Sequence, residues 1–311
     1  MKLPFLLSFL LLPVFLFAQP TANTDSAENV KSLLWRIDHT DLETPSYLYG
    51  TIHMIDANDF FLTDSTLVAF DATERVTFEI NLEDEMNLFS QISLMSKMFM
   101  DDGLTLEALL TKDEYDRVEK HFAGMGMGGF MFGMMEKIKP LFLTVFASGD
   151  IQGGMQSGGV KSYEMELWDM AKKRKKPVGG LETAAFQMSV FDSIPYKAQA
   201  DMLVQAIDAG EDGSDQLDEL TKIYRDQDIE AMVQTIGEDE GGMADYEEIL
   251  LHTRNRNWIP VMGVQMREMP TFFAVGAGHL GGEVGVIRLL REAGYEVTPV
   301  FSKVPVKSEE K

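Results

Sequence analysis

The sequence predicts an α/β protein with a mixed central sheet, helices flanking it and a large helical insertion. Three observations point there: β-rich runs open and close the chain, residues 87–246 are mostly helical in pattern, and two β-rich runs end in a Gly-x-x-His turn. A glycine at a strand end permits a sharp turn or a close backbone approach. A histidine three residues later then stands at the strand edge, where open α/β sheets bind their ligands. The chain has 311 residues and five histidines, so His53 and His279 in matching turns carry the functional reading.

Taken in order, the chain begins with Lys2, an apolar run over residues 3–17 and then Ala18-Gln19-Pro20. That is the pattern of a secretory signal at 1–18, with a basic start, an apolar centre and a small residue before the cut. The run is short of the roughly 20 residues of a membrane span; left uncleaved, it would act as an N-terminal anchor. Residues 19–31 read as a polar linker, 32–303 as the folded domain and 304–311 as a polar tail. The expectation is an exported protein, periplasmic or secreted, with no integral span after cleavage.

Within the domain, residues 33–37 and 46–49 read as strands, 63–73 as a helix capped by Thr63 or Asp64, and 75–80 as a strand. The insertion follows, with helical periodicity at 88–100 and 111–122 and a Gly/Met-rich stretch at 121–135 that reads as adaptable packing. Residues 161–176 form an amphipathic helix whose basic end suits a helix C-terminus. Residues 177–181 make a short strand with Glu182 at its end. A long helix is expected over 244–269 with an interruption near Pro260. The strand at 271–275, the helix at 283–293 and the strand at 296–301 close the domain.

Composition excludes several functions. A formal charge of -23 argues against a nucleic-acid binder, which needs a basic footprint. Without cysteine there is no disulfide and no thiolate metal site. No H-E-x-x-H or G-x-S-x-G motif is present. Residues 276–281 match G-x-G-x-x-G formally, but no second β-α-β half follows, and the next strand lacks the acid that would hold a ribose hydroxyl. His39, His121 and His252 read as surface residues or caps.

The positive reading is that His53 and His279 converge. Imidazole is the commonest metal ligand and a general base near neutral pH. Glu79 is the carboxylate best placed to join them, because an acid inside Val-Thr-Phe-Glu-Ile is costly to bury unpaired. His53, Glu79 and His279 are therefore the candidate catalytic and metal-ligating set.

Several short motifs occur in a specific order: Leu34-Trp35-Arg36-Ile37, the Gly50–His53 turn, Phe78-Glu79-Ile80, Gly180-Leu181-Glu182-Thr183 with Gln187, Arg254-Asn255 with Trp258, and Gly276–Leu280. This set resembles the TraB/GumN family, which is similar to the Tiki proteases of animals, and the likeness spans essentially the whole domain. It implies a compact α/β fold related to erythromycin esterase and the haem-binding ChaN proteins. It also implies a metal-dependent hydrolase, peptidase-like, using Mn²⁺, Co²⁺ or Zn²⁺ on a peptide or small-molecule substrate. By position it adds Arg254, to stabilise an oxyanion or orient an acid, Asn255, to hold a turn or substrate, and Glu182, as a supporting partner rather than a ligand. Two departures stand out. Glu164 sits where an aspartate after a glycine is common, and Thr253 where relatives often carry an acid before the arginine. A metal-independent His/Glu esterase and a non-catalytic peptide- or haem-binding protein are the alternatives.

Overall fold

The computed structural model describes residues 30–83, 88–147, 159–209, 211–237 and 244–305. The expected signal at 1–18, nearly all of the expected linker and most of the expected tail lie outside the described residues. Eight strands follow in chain order: β1 (Leu34–Asp38), β2 (Ser46–Thr51), β3 (Ile55–Asp56), β4 (Arg75–Ile80), β5 (Val160–Lys161), β6 (Val178–Glu182), β7 (Thr271–Gly276) and β8 (Glu296–Pro299). Six of them form one sheet in the order β6-β4-β7-β2-β1-β8, and β3 pairs with β5 apart from it. β2, β7, β4 and β6 run parallel, whereas β1 is antiparallel to both neighbours. The sheet is mixed, as expected.

The central strands are buried along most of their length, as strands inside a parallel sheet are. β7 reads Thr-Phe-Phe-Ala-Val-Gly and is buried along nearly its whole length, and β4 beside it keeps four consecutive residues buried. Phe78, Phe272, Phe273, Trp258 and Leu280 meet in the main core. Register then fixes where the parallel strands stop. Thr51 of β2 lies opposite Gly276 of β7, and Ile80 of β4 lies opposite Glu182 of β6. Four strand ends therefore reach one edge of the sheet together, carrying Thr51, Glu79, Glu182 and Gly276.

The insertion is helical in two stretches, one between β4 and β5 and one between β6 and β7. It builds a second core in which Val118, Phe122, Phe132 and Leu143 pack against Ala200 and Leu203. The Gly/Met stretch is divided in its role: Met127 and Phe132 are buried here, while Phe130, Met131 and Met134 are exposed. Thr111 begins its helix with a full capping box, its side chain and that of Glu114 each bonded to the other's backbone.

One expectation changes. The late helix, Thr253–Glu268, runs through Pro260 without a break. Pro260 and Arg256 both lie on the exposed face, so water can satisfy the carbonyl that the proline leaves without a partner. The irregularity lies upstream instead, in a 3₁₀ turn at Ala244–Tyr246 and a π-helical turn at Glu248–His252. The Tyr163–Arg174 helix closes with Lys175 in the left-handed region, and Lys176 Nζ reaches across to the Phe70 and Thr73 carbonyls at the end of the neighbouring Asp64–Ala72 helix.

Gly50 explains why the first turn needs glycine. A Cβ there would sit 3.0 Å from Leu280 Cδ2 and 3.1 Å from Ala277 Cβ, where β2 closes on the turn after β7. Gly50→Ala should therefore destabilise the protein by about 1–3 kcal/mol through overpacking, read as a lower urea midpoint at fixed pH.

Candidate functional site

Each functional side chain is delivered by a strand end or by the late helix. Glu79 is the fifth residue of β4, His279 ends the 3₁₀ turn Ala277–His279 directly after β7, and Glu182 closes β6. Arg254 and Asn255 open the Thr253–Glu268 helix and are buried. The π-helical turn just before them supplies the Leu250 carbonyl, which accepts from Arg254 Nη1 at 2.9 Å. Such turns recur at functional sites because they reset the helical register.

Arg254 is the hub. Its Nη2 donates to Glu79 Oε2 at 2.6 Å and to Glu182 Oε1 at 2.7 Å, and its Nε donates to Glu182 Oε1 at 3.0 Å. Nη1 meets the Leu250 carbonyl and His279 Nε2, the latter at 3.2 Å. A guanidinium has five N–H groups, and here all of them face protein acceptors. The oxyanion role expected for Arg254 has no free donor in this arrangement; the cation acts on the acids and the ring around it. Glu182 is held further by Trp258 Nε1 at 2.9 Å, and the Trp258 ring packs on His279 at 4.5 Å between centroids.

The tautomer of His279 follows from its neighbours. Asn255 Nδ2 donates to the carbonyls of Val284 and His279, at 2.9 and 3.4 Å, which turns Oδ1 toward the ring. His279 Nδ1, 2.6 Å from that oxygen, must be the donor. Nε2 then carries the lone pair, 3.7 Å from Glu79 Oε1. Burial pushes the His279 pKa down to about 3 against the pull of Glu79, with Arg254 adding to the drop. The ring is neutral near pH 7.

Glu79 is kept ionised. Burial would raise its pKa, but His279, Arg254, His53 and the Gly276 amide bring it down to about 2. Gly276 N donates to Oε1 at 2.9 Å and Gln187 Nε2 to Oε2 at 3.0 Å. With the ring neutral, the two carboxylates contribute -2 and Arg254 +1, so the buried cluster carries a formal -1. It has the charge to attract a cation.

His53 stands apart from this network. It is 71% exposed on the rim, and its Nδ1 lies 3.1 Å from Glu164 Oε1. That bond raises its pKa to about 9, with the Glu164 and Glu79 charges in support and desolvation opposing. Among the described residues no group of three His, Asp or Glu side chains could hold a metal ion. The expected trio is thus split in this arrangement: Glu79 and His279 face each other, and His53 turns to Glu164. Glu79 Oε1 and His279 Nε2 are donor atoms of a kind that suits a cation on a negatively charged cluster, and an ion there would take the place of the Arg254 Nη1 hydrogen bond to Nε2. From sequence, Gln187 and Trp258 are only motif letters and Glu164 only a departure: Glu164 stands at a helix start, whereas Gln187 and Trp258 lie within helices, where spacing alone does not mark them.

Fold and cluster together define an α/β protein with a buried acid–histidine–arginine site at the C-terminal edge of its parallel strands. The pattern of the TraB/PrgY/gumN family matches residues 33–299, and the chain belongs to that family. It is similar to metalloprotease TIKI2 of Danio rerio, at 22% identity over 90% of this chain and 63% of the relative. Metalloprotease TIKI1 of Homo sapiens is 24% identical over 90% and 65%, and metalloprotease TIKI2 of Xenopus tropicalis is 24% identical over 88% and 60%. The chain thus spans somewhat under two thirds of the length of these relatives. No solved structure matches it.

Two outcomes test the hub. Arg254→Met would leave Glu79 and Glu182 buried without their cation, at a cost of about 3–5 kcal/mol, measured by chemical unfolding at pH 7. Because the folded pKa of Glu79 lies below the unfolded value of about 4.3, its contribution to stability is full above about pH 5 and is lost as pH falls toward 2. Glu79→Gln should flatten that acid limb, seen by comparing urea midpoints at pH 7 and pH 3.

Proposed function

We propose that this protein is an exported, metal-dependent hydrolase that cleaves amide or ester bonds, with peptides as the first substrate class to try. One observation carries the proposal: Glu79 Oε1 and His279 Nε2 lie 3.7 Å apart on a buried cluster of net negative charge. Kinship with proteins named metalloproteases supports the reaction class. The apolar run at 3–17 followed by Ala18 supports export, and among the described residues no helix is long and apolar enough to cross a membrane.

Glu79 and His279 would hold the ion, with Mn²⁺, Co²⁺ and Zn²⁺ as candidates. Such an ion supplies Lewis acidity and activates water toward a carbonyl. The protein's own residues prepare both partners. Arg254 and the Gly276 amide keep Glu79 charged, and Asn255 holds the His279 proton on Nδ1, so that Nε2 carries a lone pair that an ion would take over from Arg254 Nη1. Support of the outer ring nitrogen by an oxygen acceptor is the usual arrangement behind a metal-bound histidine. His53 keeps its proton at neutral pH. Since a ligand must be deprotonated, this ring suits delivery of a proton to the leaving group better than ligation.

A second reading has its own observation. Arg254 already places a permanent positive charge against both Glu79 and His279, which suits a metal-independent pair acting on water directly. Chelation separates the two. After exhaustive chelation, added Mn²⁺ should restore cleavage of a peptide library, and Glu79→Gln should lower kcat by about 100-fold or more. Bound metal, measured by mass spectrometry, should fall in His279→Ala. Full activity after chelation would establish the metal-free pair, and metal retention without cleavage of peptides or esters would favour a binding protein.

A further inference from the structure

Glu164 bonds in a way that helix capping does not require. Ser162 already caps the Tyr163–Arg174 helix, its Oγ accepting from Met165 N. Glu164 Oε2 accepts from the Ser162 hydroxyl at 3.0 Å. Its Oε1 is turned the other way, to the end of β2, where it accepts from Thr51 Oγ1 at 2.8 Å and meets His53 Nδ1 at 3.1 Å. The carboxylate is 20% exposed against 71% for the ring it holds. Its position in the first turn of a helix also suits a negative charge.

The backbone reinforces the same join. β3 and β5 pair in register, with Ile55 opposite Lys161 and Asp56 opposite Val160, and Ala57 N donates to Gly159 O at 2.8 Å. The chain just after His53 is thereby tied to the chain just before Glu164. Thr51, bonded to the same oxygen, lies opposite Gly276 of β7 in the main sheet. An exposed histidine would otherwise rotate freely about its side-chain bonds. Here one oxygen, itself fixed from two sides, selects the ring orientation.

We propose that Glu164 is a positioning residue for His53: its carboxylate takes the Nδ1–H of the ring and leaves Nε2 as the nitrogen presented to substrate. Its consequence for turnover rests on the hydrolase reading above; its consequence for the ring does not.

The test uses the full chain labelled with ¹⁵N in its histidine rings, five in all, with the His53 signals identified by their loss in His53→Ala. In wild type, once the ring is neutral, the long-range proton–nitrogen pattern should be that of the Nδ1–H tautomer. Glu164→Gln should shift the ring toward Nε2–H, Glu164→Asp should retain part of the wild-type preference, and Ser162→Ala should weaken it without removing the carboxylate. Where the wild type cleaves a peptide, Glu164→Gln should lower kcat by about 10–100-fold with KM unchanged. A wild-type ring in the Nε2–H form, or a pattern unmoved by Glu164→Gln, overturns the proposal whether or not any variant is active. A wild type that cleaves nothing yet shows the expected ring pattern overturns the hydrolase reading alone.

Discussion

One guanidinium shared by two buried carboxylates and a neutral ring is the constraint on which the site depends. Arg254 brings together three chain segments that are far apart in sequence: Glu79 of β4, Glu182 of β6 and His279 after β7. None of these groups is cheap to bury alone, since an unpaired charge in the interior costs several kcal/mol. The strand register makes the sharing possible, because the parallel strands end level and present their last residues to the same helix. The helix in turn offers Arg254, Asn255 and Trp258 on one face, at spacings of one and four residues. Fold and site are therefore one problem: a slip of any strand by one residue would turn its functional side chain to the other face of the sheet.

The division of labour between the two histidines follows from their surroundings rather than from their shared turn motif. His279 lies against Trp258 and behind Asn255, and burial strips it of charge. His53 stands in water beside a carboxylate and keeps its charge. Two Gly-x-x-His turns of the same form thus present rings of opposite character. Titratable groups pushed apart in this way are a common basis for assigning acid and base roles.

Much of this was legible from the chain. The β-rich runs of β4 and β7 declare themselves, as does the Thr111 cap, because local chemistry settles both. Glu79 could be singled out because an acid in such a run must find a partner. What was not legible depends on contacts between distant segments. β3 and β5 are two residues each, too short for any periodicity to show. Pro260 suggests a helix break, and only its solvent-facing placement explains why none occurs. The partner of Glu79 turned out to be Arg254 and Gln187 together, and nothing in the spacing of those residues says which donor reaches which oxygen. For His53 the sequence offers the ring but not the acceptor, since Glu164 is brought to it by a hairpin-like pairing of segments about a hundred residues apart.

That small pairing has a further consequence. A two-stranded sheet is marginal by itself, and β3–β5 is separate from the main sheet. The rim of the site is consequently fastened by a unit of low intrinsic stability, whereas Glu79, Arg254 and His279 are locked into the main core. Local opening of a protein proceeds through its weakest cooperative units first. The rim beside His53 and the charged interior thus rest on different parts of the chain, the first partly on a short accessory pairing and the second on the main core.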